Sequence, residues 1–223
     1  MFEKFNKEVK SEFISELEAS EITGLKVNKL INLYRAGNLQ GAEIIKGRYC
    51  FFRKDIYQLL NRECNQQLES QLNDDFLLKQ VISKDRILFK NKSNKELILK
   101  EMSELLADSP VQCSKEIIEQ GIFRREALMS TGMGLGIAIP HVRLSSATDI
   151  AVAVALVKEG IYDYGSIDNQ PIFLFFMIVG RTDQHDQHLK IVSQLSLKLK
   201  QKNYFTRLCN ISTSSEFYSV ITE

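Results

Sequence analysis

Hydrophobic positions along the chain change their period several times, and each change marks an element. Leu189, Val192, Leu195 and Leu199 recur at three- and four-residue spacing, which predicts an amphipathic helix whose first turn holds His188. Leu97, Ile98, Met102, Leu105 and Leu106 draw the apolar face of another helix over residues 95–106. Residues 150–157 are continuously apolar and read as a buried strand, and residues 171–179 form a second strand-like run. Leu77, Val81 and Ile82 open this part of the chain as a helix or strand. Strands and helices alternate from about residue 75, so the fold class is α/β, a sheet flanked by helices.

The first 62 residues follow a different pattern. Residues 17–24 read as a short helix ending in a glycine turn, and residues 25–36 as a second helix. Two apolar runs then flank Lys46-Gly47-Arg48 and predict a hairpin, and Asp55 is placed to cap a closing helix that reaches about Leu60. Residues 63–74 are polar and amide-rich, without Gly or Pro, and read as a joint that is either a helical extension or flexible. Leu59, Leu68 and Leu72 suggest a dimerising stripe, which would make the chain a homodimer. The expected division is therefore 1–62, a 63–74 linker, and 75–223.

Charge matters locally. The 223 residues carry a net charge of only +1, so no global field advertises a nucleic-acid protein. Between Lys26 and Lys54, however, seven basic residues face Glu43 alone, a local balance of +6. A helix–turn–helix unit with such a balance is suited to a phosphate backbone. Lys26, Asn28, Lys29 and Asn32 on the second helix are the expected base readers, with Arg48 on the hairpin meeting backbone or minor groove. The order of elements resembles the excisionase and MerR-like winged helix–turn–helix domains, with Glu21, Tyr34, Gly37, Leu39, Gly47, Arg48, Phe52 and Asp55 in matching places. That resemblance spans residues 14–60 and implies a DNA operator as partner.

Candidate chemistry lies in the second part. Gly132-Met133-Gly134-Leu135-Gly136-Ile137-Ala138-Ile139-Pro140-His141 combines glycines, a short apolar strand, a stiff proline and one of three histidines. Histidine is a nucleophile whose ordinary pKa lies near neutrality, and glycines let backbone approach an anion closely. The other histidines, His185 and His188, stand where a strand-fed loop enters a helix, a place where free amides and the helix dipole favour an anion. Their i, i+3 spacing lacks a carboxylate or cysteine partner, so no metal is expected. Cys50, Cys64, Cys113 and Cys209 are too scattered for a metal site or a disulfide framework, which suits reduced thiols in a cytoplasm. No apolar run approaches a membrane span and no signal pattern opens the chain, so no membrane partner is expected.

Residues 125–141, the segment 165–171, the pair His188-Leu189 and the ending 217–223 resemble the phosphorylation-site motifs of enzyme IIA domains of the fructose/mannitol type (type 2). These belong to the bacterial phosphoenolpyruvate-dependent phosphotransferase system, and the resemblance is closest to the nitrogen-regulatory branch. It covers residues 75–223. It implies an enzyme IIA-type fold, a phosphotransferase that carries its phosphoryl group on histidine, no cofactor, and a phosphorylated histidine-containing carrier protein as donor. Position by position it implies that His141 accepts the group, His188 supports it by hydrogen bonding, and Arg125 pairs with phosphoryl oxygens; because it picks His188, His185 is expected to stand in solvent. Ser130, Thr131 and Gly132 match the loop before the site. The family has glycine after the phosphorylated histidine where this chain has Val142. A β-branched residue there resists positive φ and is expected to bring bulk beside the phosphoryl position. Two function classes stay open: a cytoplasmic phosphocarrier that couples phosphorylation to DNA binding and transcription regulation, or a non-catalytic DNA- or protein-binding regulator whose enzyme IIA-like part senses a protein target without phosphorylation.

Overall fold

The computed structural model describes residues 13–39, 41–45, 47–56, 58–59, 76–201 and 203–223. The 63–74 joint, with Leu68 and Leu72, lies outside the described residues, as does Lys46 of the hairpin. The chain divides into two compact units, Met1–Gln66 and Gln67–Glu223.

The first unit holds β1 (Phe13–Ser15), α1 (Glu16–Thr23), α2 (Val27–Arg35), β2 (Ala42–Ile45) and β3 (Arg48–Phe52), the strands ordered β1-β3-β2 and antiparallel throughout. Ser15 starts α1 through a reciprocal capping box with Glu18, and Gly24 ends it at φ 73°, a conformation costly for other residues. The core of this unit is small: Ile14, Ala19, Ile22, Leu25, Leu30, Leu39, Phe51, Ile56 and Leu59 are buried. Two expectations change. Helix resumes at residue 53, so Asp55 lies inside the turn rather than capping it. Leu59 is buried within the unit and does not stand on an open stripe.

The second unit is a mixed six-stranded sheet with helices on both faces. Its elements are α3 (Phe76–Val81), β4 (Ile82–Lys90), α4 (Lys95–Ala107), α5 (Lys115–Leu128), β5 (Gly132–Gly134), β6 (Ile137–Ala138), β7 (His141–Leu144), β8 (Ala151–Ile161), β9 (Ile172–Arg181), α6 (His185–Lys200), α7 (Tyr204–Cys209) and α8 (Ser214–Ile221). The strand order is β4-β8-β9-β6-β5, and β7 also pairs with β9, beyond β6. Strand alternation sorts the core into two layers. Val152, Val154 and Leu156 of β8 and Leu174, Phe176 and Ile178 of β9 face α3, α6, α7 and α8. Ala151, Ala153 and Ala155 of β8 and Phe175, Met177 and Val179 of β9 face α4 and α5. Small alanines on that face let the two helices lie close to the sheet. On α4 the buried positions are Ile98, Leu99, Met102 and Leu106, whereas Leu97 is 45% exposed, so the helix is rotated away from the stripe read in the sequence. Among the described residues no helix is long and apolar enough to cross a membrane.

The same alternation continues through the strands that carry the site. Ile137 and Ile139 pack on the α6 side, and Ala138 on the α4–α5 side. Val142 and Leu144 also pack on the α4–α5 side, so His141 and Arg143 face α6. Val142 has no positive φ, and a Cβ at Gly121 of α5 would lie 2.9 Å from its Cγ2. Its bulk is thus accommodated on the sheet face opposite His141, which corrects the expectation that it crowds the phosphoryl position. Gly121→Val should therefore overpack this contact and destabilise the chain by about 1–3 kcal/mol in urea unfolding, with Val142→Ala restoring part of the loss. An unchanged unfolding midpoint would mean that Val142 does not fill the space beside Gly121.

Candidate functional site

The site is built where β7 meets the start of α6. His141 and Arg143 are two residues apart on β7, and His185 and His188 three apart on the first turn of α6, so the two pairs meet as rungs. The ring centroids of His141 and His188 lie 5.1 Å apart at an interplanar angle of 56°. The Arg143 guanidinium donates to Nδ1 of His185 across 3.2 Å. His185 is consequently half-buried and engaged, not standing in solvent as the family resemblance implied.

His141 is half-buried, and its Nδ1 lies 2.8 Å from the Ile139 carbonyl oxygen. A carbonyl can only accept, so Nδ1 carries the proton and Nε2 of the neutral ring holds the lone pair. Burial lowers the His141 pKa well below its usual value, and the charges of Arg125, His188 and Arg143 lower it further. His188 is buried, and burial followed by the charges of Arg143, His185 and Arg125 takes its pKa down to about 3. Both imidazoles are therefore neutral at pH 7 in a setting whose charges are cationic. His188 Nδ1 is buried without a hydrogen-bond partner among the described residues, a polar atom left for an incoming group to satisfy. Its own amide bonds the Gln184 carbonyl at 3.0 Å and so is committed within the helix.

Arg125 sits in the last turn of α5, buried, with its guanidinium donating to the Met129 carbonyl at 2.7 Å. That bond closes the helix and holds the charge within reach of His141 and His188.

Ser130, Thr131 and Gly132 are used internally. Thr131 donates its amide to Glu126 Oε1 at 3.0 Å and its hydroxyl to the same oxygen. Gly132 donates its amide to Ser130 Oγ at 3.2 Å, and Ser130 donates to the Tyr164 carbonyl at 3.3 Å. The Thr131 carbonyl accepts from Ile139 at 3.1 Å, and Ile139 in turn accepts from His141. The loop thus braces the His141 ring instead of presenting the Thr131 and Gly132 amides to an anion. The glycines also serve packing. Any Cβ at Gly132 would lie 2.9 Å from Ser166 Cα, and Gly134 and Gly136 take positive φ at the hairpin tip.

Three residues that sequence reasoning missed anchor this brace. Glu126 is buried and pairs with Lys95 at 3.0 Å. The Tyr164 hydroxyl is 3.1 Å from Thr131 Oγ1, and its pKa is raised well above normal by burial and by Glu126. Lys95 also donates to the Tyr164 carbonyl at 3.0 Å and lies over its ring at 4.6 Å. The available signal was Glu126 beside Arg125, together with Tyr164 beside the matching 165–171 segment.

In the first unit, Lys26, Asn28, Lys29, Asn32 and Arg48 are all exposed, Lys26 at the N-cap of α2 and the next three on the helix itself. Leu30 faces the opposite way and is fully buried.

The depressed histidine pKa values set a pH dependence. In the unfolded chain a histidine titrates near 6.5. A group held neutral in the fold contributes stability that is fully present above that pH and is lost as pH falls toward its folded pKa. Lowering the pH from 7.5 to 5.5 should cost about 1 kcal/mol through His188 alone. In urea titrations at the two pH values, His188→Gln should lose correspondingly less stability than the native chain. Equal losses would show that His188 is not held neutral.

Comparison with known proteins gives the same outline. The family profile described as the phosphoenolpyruvate-dependent sugar phosphotransferase system, EIIA 2, matches residues 80–223. The chain is 33% identical over 165 residues to a nitrogen regulatory protein of Klebsiella oxytoca, covering 74% of this chain and 96% of that protein. It is 32% identical over 129 residues to the fructose-specific EIIABC component of Bacillus subtilis, covering 58% of this chain and 20% of that one. The crystal structure of nitrogen regulatory protein IIA-Ntr from Neisseria meningitidis superposes with a TM-score of 0.61 at 26% identity, covering 65% of this chain and 99% of that chain. With a site of two facing neutral histidines among cationic groups, on a fold of this kind, the chain belongs to the type 2 EIIA family of the sugar phosphotransferase system, a family of phosphotransfer proteins whose nitrogen regulatory members it resembles.

Proposed function

We propose that this chain accepts a phosphoryl group on Nε2 of His141 and uses it to regulate DNA binding by its first unit. The carrying observation is the fixed, neutral His141 ring: Nδ1 is committed to Ile139 O, Nε2 keeps its lone pair, and Arg125 and Arg143 supply cationic charge around it. In the proposed step the Nε2 lone pair attacks phosphorus while the bond from phosphorus to the donor's histidine nitrogen breaks. The Nδ1 proton stays in place, and its hydrogen bond to the Ile139 carbonyl eases the positive charge that develops on the ring. His188 offers its unpaired Nδ1 or its opposite ring nitrogen to the phosphoryl group, and Arg125 offsets the dianion. The donor is a phosphorylated histidine-containing carrier protein, and the onward acceptor is an EIIB-type protein or a regulated protein target. The packing of Val142 on Gly121, away from His141, supports an active carrier over a carrier fold kept only for sensing.

The DNA-binding part rests on the exposed side chains of Lys26, Asn28, Lys29, Asn32 and Arg48, on a unit with two helices followed by a two-stranded hairpin. Lysine and asparagine suit base-edge acceptors and donors, and arginine suits the backbone or minor groove.

One experiment tests both halves. The chain is incubated with phosphoenolpyruvate and the general transfer proteins, and its affinity for duplexes selected from a random pool is measured at fixed salt. An acid-labile label should form and should vanish in His141→Ala. His188→Ala and Arg125→Ala should slow labelling by about ten-fold or more. Phosphorylation should change DNA affinity by about five-fold or more, the usual scale of coupled sites. Label that persists in His141→Ala overturns the acceptor assignment. A pool that returns no enriched sequence overturns DNA binding, and equal affinities overturn the coupling.

A further inference from the structure

We propose that the second unit carries a separate binding site for a phosphomonoester, in a cleft of about 500 Å³ beside the start of β4. Pairing of β4 with β8 slips between Ile82 and Ile87, and residues 83–86 bulge away from the ladder. The bulge forms one wall, the end of α3 a second, and Tyr218 of α8 a third. Three cations line the cleft: Lys79, Lys84 and Arg86. His141 lies on the far side of β8 and β9 from β4, so this cleft is not part of the histidine site.

Arg86 is the decisive group. Its side chain is only 8% exposed, and burial lowers its pKa, the mark of a desolvated cation. Nη2 donates to the Val81 carbonyl at 3.1 Å and Nε to the Val152 carbonyl at 3.4 Å. Nη1 makes no hydrogen bond among the described residues. Among the described residues its one ion-pair partner is the Asp85 carboxylate at 3.9 Å, which is 73% exposed and accepts from Ser83 through its other oxygen. Two carbonyl dipoles and a distant carboxylate leave most of a buried guanidinium charge uncompensated, and an anion in the cleft would complete it.

The lysines are placed to share that anion. Lys84 is steadied by Ser215 Oγ at 3.1 Å and lies 5.7 Å from the centre of the Tyr218 ring. Tyr218 donates its hydroxyl to the Lys79 carbonyl at 3.3 Å, which pins the end of α3, while the Lys79 ammonium has no partner among the described residues. Three positive charges suit a dianion. The cleft falls within the size range of small-molecule sites and is larger than phosphate alone needs. Ile82, Pro110 and the Tyr218 ring give an apolar wall for the organic part.

The test is calorimetric titration of the full chain with glucose 6-phosphate and, separately, with inorganic phosphate. The sugar phosphate should bind saturably and more tightly than inorganic phosphate, with equal affinity for the native chain and for His141→Ala. Arg86→Gln removes two backbone contacts and endangers the fold, so the informative variant is the exposed pair Lys79→Ser and Lys84→Ser. That variant should weaken binding by about ten-fold or more. Absence of saturable binding, or undiminished affinity in the double variant, would overturn the site. Equal affinity for the two anions would overturn its assignment to an ester, and loss of binding in His141→Ala would place the anion at the histidine site instead.

Discussion

The parallel pairing of His141 with Ile178 and of Arg143 with Gly180 decides where the chemistry stands. It places β7 along the end of β9, which leads directly into α6, and it turns the odd-numbered side chains of β7 toward that helix. A slip of one residue would send Val142 and Leu144 to the helix face and bury the His141 ring against α5. Two features guard the register. The Pro140 carbonyl accepts from the Ile178 amide at 2.9 Å, and Val142 fits the space that Gly121 leaves on α5. Packing on one face of the strand thereby fixes the functional group on the other.

A second constraint acts through the polar brace behind the strand. Burying Glu126 is costly unless its carboxylate is satisfied, and Thr131 and Lys95 supply that satisfaction. Thr131 passes the constraint to Ile139 through a backbone bond, and Ile139 orients the imidazole by accepting from Nδ1. Fixing the ring in this way selects its tautomer, so a group far from the reacting nitrogen determines which nitrogen is available. Burial, reinforced by the nearby arginines, then keeps both rings neutral, and the same arginines favour a dianion beside them. A proposed phosphoryl acceptor needs these two properties together: a free lone pair, and a field that favours the charge it receives.

Much of this was legible in the sequence where local pattern and burial agree. The apolar run at 150–157 became β8, and the stripe of Leu189, Leu195 and Leu199 became the buried face of α6. Position along that helix placed His188 in its first turn. What escaped were properties that arise only after distant segments pair. The direction of Val142 depends on which face β7 turns to α5, and nothing local states it. Periodicity alone could not separate buried Leu99 from exposed Leu97, since both lie one turn or less from other apolar residues of α4. Glu126 resembled any surface glutamate of a helix because its partners, Lys95 and Thr131, come from other elements. The glycines of 132–136 suggested an anion cradle, whereas close packing on Ser166 and the positive φ values of a hairpin tip account for them.

The ring geometry around Ile139 leaves Nε2 of His141 as the nitrogen with a free lone pair, the one proposed to receive the phosphoryl group. Nitrogen-15 and phosphorus-31 NMR of the phosphorylated chain, labelled at histidine, reads this directly. One phosphohistidine is expected, at His141, with phosphorus coupled to Nε2 and the proton retained on Nδ1. Phosphorus coupled to Nδ1, or carried on His188, would contradict it.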